Sequence, residues 1–355
     1  MKHSSSVNLP IGIALLPIVF LVSLLSINVF IYGDDSLNGT NQFILILSGL
    51  FGASLGFIYK VSYKKILTSI SNSVKSVTGA LLILLFVGAL AGTWMISGII
   101  PAMVYYGLKL LDPNIFLPAC IVICSIISVA TGSSWTTSAT VGIALVGIGK
   151  ALGIPAGMVG GAVIAGAYFG DKLSPLSDTT NLAAAVTKVD LFKHIKYLTY
   201  TTIPSISITL IVFIILGFLQ VSDGSTDNTY LLDAINEKFN ISLVLFIVPI
   251  LVLIMIIKKT PPLIALVIGT LVGAIFCIIF QPQIIAELSS GSSSKLVNTY
   301  VVIMDTITGQ VSIETNNELL NDLFSTGGML GMMNTIFLVI GTMVFGGVMD
   351  AIGAL

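Results

Sequence analysis

Long apolar runs, rather than short amphipathic periods, set the pattern of this 355-residue chain. Runs of roughly 18–25 apolar residues occur at 9–31, 42–59, 79–107, 199–219, 241–257, 261–280 and 334–355, each adequate for a helix crossing ~30 Å of hydrocarbon. Two further stretches, 115–152 and 155–187, are apolar but punctuated. The first breaks at Thr131-Gly-Ser-Ser-Trp-Thr-Thr-Ser138, with about sixteen apolar residues before the break and about fourteen after it. Neither arm is comfortably long enough to cross, so a re-entrant hairpin with a polar tip fits better than two full spans. Irregular backbone at membrane depth is tolerated only where it lines a cavity. The hydrophilic stretch 281–333 holds Glu287, Asp305, Glu314, Glu318 and Asp322 behind a serine-rich start, and reads as an external loop with a short helix or two.

Composition agrees with that pattern. Hydrophobic residues make up 55% of the chain, charged residues 9%, and the mean hydropathy is +1.06. A soluble domain carries about 25% charged residues, so the fold class is an all-α polytopic membrane protein in contact with the lipid bilayer. The net charge of −1 argues against nucleic-acid binding. All fifteen basic residues are lysines, which removes bidentate arginine clamps on phosphate or carboxylate. Cys120, Cys124 and Cys277 lie in apolar runs without metal-ligand spacing and read as small core residues; His3 and His194 are far apart. The run 9–31 is too long for the apolar region of a cleavable signal peptide. No cofactor and no enzymatic base or nucleophile set is apparent.

The chemistry concentrates in one segment. Gly170-Asp-Lys-Leu-Ser-Pro-Leu-Ser-Asp-Thr-Thr-Asn181 places Asp171, Lys172 and Asp178 inside a stretch long enough to cross a bilayer. A charge at membrane depth costs at least ~2.5–3.5 kcal/mol on insertion scales, so such residues normally face a cavity and mark an ion or proton path. Pro175 removes a helical hydrogen bond and frees carbonyls. Asp171, Asp178, Ser174, Ser177, Thr179 and Asn181 then offer the carboxylate, hydroxyl and amide oxygens that a hard cation such as sodium prefers. A carboxyl group in low dielectric binds protons more readily, so proton and sodium compete for one group. Lys172 can neutralise an aspartate in the empty site, and a purely structural Asp171–Lys172 pair is the equal alternative. The hydroxyls and carbonyls around Thr131, Ser133 and Ser134 either complete a cation shell or cap the two hairpin arms. Asp350 reads as lying at the cytoplasmic edge.

Ala130-Thr-Gly-Ser-Ser-Trp135, Tyr168 through Ala183, Gly88-Ala-Leu-Ala-Gly-Thr-Trp94 and Thr342-Met-Val-Phe-Gly-Gly347 together resemble the NhaC family of sodium/proton antiporters. The resemblance implies an inverted-repeat ion-transporter fold with re-entrant hairpins and a site near the midplane. It implies exchange of sodium for protons, with malate–lactate exchange as the alternative found in some close relatives. It further implies several more helices and a second polar segment facing the first, so the chain is expected to be a C-terminal truncation whose independent activity is in doubt. An inactive or accessory membrane fragment is the alternative of a different class.

A faint internal likeness accompanies this. Ile83–Gly98 resembles Phe337–Gly353, and the two copies would cross in opposite senses, as an inverted repeat requires. The expected organisation is therefore N-terminal spans and a cytoplasmic loop at 1–78, a first repeat at 79–219 containing the hairpin and the broken helix, connecting spans at 220–280, the loop 281–333, and the start of an incomplete second repeat at 334–355. A homodimer stays open.

Lysine placement sets the expected orientation. With a cytoplasmic N-terminus and a hairpin returning to its own side, ten lysines fall inside (2, 60, 64, 65, 75, 188, 193, 196, 258 and 259) and four outside (109, 150, 238 and 295), the positive-inside pattern of a cytoplasmic-membrane protein. Cysteines introduced beside Lys64 and Lys193 should react only from the cytoplasm, and one beside Asp227 only from outside. Labelling of the first two by an impermeant external maleimide in intact cells would refute this orientation.

Overall fold

The computed structural model describes residues 10–110, 113–132, 134–175, 177, 179–180, 183–184, 189–220, 229–258, 260–289, 294–315, 320–321 and 324–354. Nearly all of them are helical. Six helices are long and apolar enough to cross a membrane, and a bent pair, Leu231–Lys238 with Leu243–Ile256 at 84°, offers a seventh. The chain is thus an all-α, multi-pass membrane protein. It divides into two compact units, Met1–Leu85 with Leu330–Leu355, and Phe86–Met329.

The first unit holds α1 (Ile11–Tyr32), α2 (Thr40–Ile58), the start of α3 (Tyr63–Ile96) and a helix near the chain end, Met333–Ile352. Small residues let α2 and that last helix approach closely. A Cβ on Gly49 would lie 3.5 Å from the Phe345 backbone, one on Gly52 3.3 Å from Val348, and Gly56 faces Ile352. Without a hydrophobic drive between helices in lipid, such close approach supplies the packing energy. The partner numbers rise together, so the two helices run parallel. Ala53, Val61, Ile66, Val348, Met349 and Ile352 form the buried core of this unit. The turn between α1 and α2 is held by polar side chains: Asn28 donates to Thr40 and Asn41, each at 2.8 Å, and Asn41 donates to Ser36 at 3.2 Å. Asp350 accepts a short hydrogen bond from Ser69.

The third apolar run belongs to a longer helix than its hydropathy suggests. α3 takes in the polar residues from Tyr63 and extends 34 residues, because helical hydrogen bonds are local and nothing before Ser97 interrupts them. It stops at Gly98, whose φ of +79° only glycine adopts freely, and α4 (Ile99–Leu110) follows.

In the second unit, α5 (Pro113–Thr131) runs to the polar tip, and Gly132 turns the chain at φ +69°. The return is α6 (Ser134–Thr137), a π-helical turn at Ser138–Gly142, and α7 (Ile143–Ala151). A Cβ on Gly149, near the end of the return arm, would lie 3.0 Å from Phe116, near the start of the outgoing one. The arms therefore open toward the same end. They are longer than their apolar counts, because the tip hydroxyls are taken into helical backbone. α8 (Ala156–Leu173) packs along α5: Gly166 faces the Ile121 carbonyl and Gly170 the Ser125 carbonyl. These contacts too ascend together, so α5 and α8 are parallel. α9 (Leu191–Gln220), α10 (Thr229–Lys238), α11 (Ile247–Ile257) and α12 (Pro262–Phe280) follow.

Trp94 on α3 donates its indole N–H to the Gly269 carbonyl of α12 at 3.2 Å. The Cys277 thiol lies 3.5 Å from the Ile96 carbonyl, and Gly98 meets Gln281. α3 and α12 thus rise side by side. The segment 282–331 is more ordered than a plain loop. It contains α13 (Pro282–Leu288), α14 (Lys295–Thr308), a two-residue strand pair, Val311–Ser312 with Ser325–Thr326, and α15 (Gly328–Gly331); Met333–Ile352 is then α16.

The approach of α8 to α5 has a direct test. Gly170→Ala would drive a Cβ into the α5 backbone, whereas Gly160 on the same helix has open space. Gly170→Ala should lower the melting temperature of the detergent-solubilised protein, at a cost of roughly 1–3 kcal/mol. Gly160→Ala should leave it unchanged or raise it, as alanine's helix preference of about 0.8–1 kcal/mol dictates.

Candidate functional site

Two broken pieces of backbone meet in the second unit. α8 ends at Leu173; Ser174 is extended (φ −82°, ψ 127°), as the residue before a proline prefers. The chain then turns, and helical backbone resumes at Thr179 and Thr180. The hairpin tip lies against this break. The Ser134 hydroxyl donates to Oδ2 of Asp171 at 2.8 Å, joining the tip to the acidic motif across 37 residues of sequence. Ser134 is buried and Asp171 half-buried.

Two of the carbonyls freed at the break share a hydroxyl partner. Thr180 Oγ1 lies 3.4 Å from the Asp171 carbonyl and 3.3 Å from that of Lys172, capping the end of α8. Ser174 donates to the Val129 carbonyl at 2.7 Å, and Ser128 to the Ala167 carbonyl at 2.6 Å, so α5 and α8 are stitched in both directions. Ser177 accepts from the Thr180 amide at 3.3 Å, in the manner of a helix N-cap, and lies 3.0 Å from the Thr179 hydroxyl. Ser128, Thr137, Ser174, Ser177 and Thr180 are all buried. The π-turn at Ser138–Gly142 widens the helix just beyond the tip, a feature that recurs at functional sites.

Of the residues singled out from the sequence, Ser134, Asp171, Ser174, Ser177 and Thr179 gather here. Thr131 ends α5 beside them. Ser133, Asp178 and Asn181 lie outside the described residues. Lys172 is exposed, and among the described residues the one ion pair is Lys238–Glu287 at 2.6 Å, so Lys172 holds no ion pair with Asp171 here. Adjacent helical residues point ~100° apart, which separates the two side chains. The sequence pattern passes over Ser128 and leaves Thr137 among the tip hydroxyls and Thr180 among those around the motif. Ser128 could have been found from its spacing of three before Thr131, one helical turn back from the tip.

Chemically, this is a cluster of hydroxyl and carbonyl oxygens near one carboxylate, with the carbonyls at the end of α8 partnered by Thr180. Among the described residues it shows no base–nucleophile pair. A helix C-terminus carries partial negative charge, so the end of α8 favours a cation.

The Na+/H+ antiporter family model matches residues 166–355, a span that begins on α8 and takes in the whole motif from Gly170 to Asn181. The chain belongs to the Na+/H+ antiporter family. Over 339 residues, 95% of this chain and 68% of the relative, it is 39% identical to the malate-2H+/Na+-lactate antiporter of Bacillus subtilis. Over 311 residues, 88% of this chain and 64% of the relative, it is 35% identical to the Na+/H+ antiporter NhaC of Alkalihalophilus pseudofirmus. The arginine/ornithine antiporter ArcD of Halobacterium salinarum is 33% identical over 97% of this chain and 68% of its own length. These identities bear out the NhaC likeness of the motifs. The relatives are antiporters, not enzymes, and the chain spans about two thirds of their length. No solved structure matches it.

The junction predicts an energetic coupling. In a double-mutant cycle, Ser134→Ala and Asp171→Asn should be non-additive in thermal stability by about 0.5–3 kcal/mol, the range for residues in direct contact. Strict additivity, measured by thermal unfolding in detergent, would separate the tip from the motif.

Proposed function

We propose that this chain carries the ion site of a secondary antiporter that exchanges sodium for protons across the cytoplasmic membrane, using intramembrane carboxylates. The observation that carries this reading is the 2.8 Å hydrogen bond from Ser134 to Asp171, which unites the two polar interruptions of an otherwise apolar chain. Sodium would be held by the Asp171 and Asp178 carboxylates with hydroxyl and carbonyl oxygens from Ser134, Ser174, Ser177, Thr179 and Thr131, and by Ser133 and Asn181. A proton and a sodium ion compete for the same carboxylates, so occupancy by one expels the other, and a change of exposure between sides converts that competition into exchange. Lys172 serves as the nearby positive charge of the empty site. The bilayer is the only other partner required, and the N-terminus is cytoplasmic.

Malate–lactate exchange coupled to sodium and protons is the second reading. It is favoured by the 39% identity to the Bacillus subtilis malate/lactate antiporter, above the 35% to NhaC of Alkalihalophilus pseudofirmus. Against it stands the absence of arginine from the sequence, which leaves a carboxylate cargo without a bidentate partner.

The deciding experiment uses everted membrane vesicles from a host lacking its own sodium/proton antiporters. Addition of sodium should collapse a preformed proton gradient when the wild-type protein is present and fail to do so with Asp178→Asn, which keeps the shape and removes the titratable charge. Wild-type exchange in the Asn variant would return Asp178 to a structural role. A response that requires malate on one side and lactate on the other would select the second reading.

A further inference from the structure

α14 (Lys295–Thr308) is amphipathic in the wrong sense for a helix in water. Its 14 residues pack on the protein through Val302 and Thr306, both buried. The opposite arc carries Leu296, Val297, Tyr300, Val301 and Met304, all exposed, with Leu296 84% and Tyr300 66% accessible. At ~100° per residue these five side chains cover about 140° of the helix surface, centred roughly opposite Val302. Asn298 and Asp305 lie along one border of that arc, outside it. A helix on the aqueous surface of a protein turns its polar face outward; this one turns its apolar face outward.

Depth agrees with the reversed polarity. Thr306 meets Gly92 on α3 so closely that its carbonyl occupies the space of a Cβ there. The neighbouring Thr93 hydroxyl would lie 3.1 Å from a Cβ on Gly273 of α12. Gly273 is seven residues before the end of α12 at Phe280, in a 19-residue helix whose length matches the hydrocarbon layer. Seven residues at ~1.5 Å per residue put Gly273, and with it Gly92 and Thr306, roughly 10 Å inside the end of a membrane-spanning helix.

We infer that α14 lies in the membrane, its Leu296–Met304 face in contact with lipid acyl chains, and that the hydrophilic stretch 281–333 is in this part a re-entrant element instead of an aqueous loop. The partner is the hydrocarbon of the bilayer. A second copy of the chain, or another segment of a longer protein, would also cover an apolar face. Lipid is favoured because the arc faces away from its own unit on a helix whose Thr306 end lies at a depth where acyl chains are the surrounding medium. Of the two border residues, Asn298 is half-buried, and Asp305 is exposed at the edge of the arc beside Thr306, a placement that costs energy at membrane depth.

The test is collision accessibility of single nitroxide labels at Leu296→Cys, Tyr300→Cys and Met304→Cys, in the full chain reconstituted into vesicles. The buried Cys120, Cys124 and Cys277 are replaced by alanine, or retained unlabelled if that background fails to fold. The inference expects accessibility to molecular oxygen to exceed that to a water-soluble nickel chelate several-fold at all three positions, with the reverse at a Ser294→Cys control. Higher accessibility to the nickel chelate at the three positions would restore the aqueous loop and overturn it. Low accessibility to both reagents, with an immobilised label, would show protein covering the face and overturn it equally.

Discussion

Backbone that leaves the helix inside a hydrocarbon layer has no water to turn to, so every freed carbonyl must find a donor within the protein. The second unit is organised around that requirement. α8 stops before Pro175, and the Asp171 and Lys172 carbonyls are met by Thr180. α5 approaches its tip, and the Val129 carbonyl is met by Ser174. The end of α8 takes its donor from its own continuation at Thr180, while the hairpin arm takes one from Ser174 at the end of α8, and Ser134 of the tip donates to Asp171. The hairpin and the broken helix are therefore a single polar body, and glycines 166 and 170 make it possible by letting the two backbones touch. In lipid, where apolar packing between helices has no solvent drive behind it, such close approach and interhelical hydrogen bonding are the available sources of stability.

The proposed function uses the same arrangement. In a cluster of oxygens at the end of a helix, with one carboxylate already engaged by a hydroxyl, a small cation would replace a hydrogen bond without leaving polar groups bare. Such a site differs from a catalytic centre in that nothing in it must form or break a bond. The family match and the antiporters among the relatives set the class.

Much of this was legible in the chain. Polar residues are so sparse that the tip at Thr131–Ser138 and the motif at Gly170–Asn181 stand out, and proline marks where the helix must fail. Helix positions followed from apolar runs because ~20 residues of hydrophobicity have few other uses. Less legible was whatever depends on three-dimensional neighbours. The start of α3 at Tyr63 is hidden because hydropathy reports solvent and not hydrogen bonding, so a polar extension of an apolar helix looks like a loop. The role of Ser128 is hidden because its partner, Ala167, is a backbone carbonyl 39 residues away. The character of α14 is hidden for a related reason: acids and serines around it lower the local hydropathy, although the arc that faces outward is apolar. Lys172 shows how adjacency in sequence differs from contact in space. Adjacency in sequence suggested a pair with Asp171, but neighbours on a helix diverge.

The central claim is that the tip and the broken helix form one cation site through Ser134 and Asp171. A ligand that binds only the folded state raises its melting temperature in proportion to the logarithm of its concentration once the site is saturated. Melting of the purified protein in sodium chloride, compared with choline chloride at equal ionic strength, tests the claim most directly. The account predicts a sodium-specific rise in the wild type, weakened in Ser134→Ala and absent in Asp171→Asn. An equal sodium-specific rise in Asp171→Asn would contradict it.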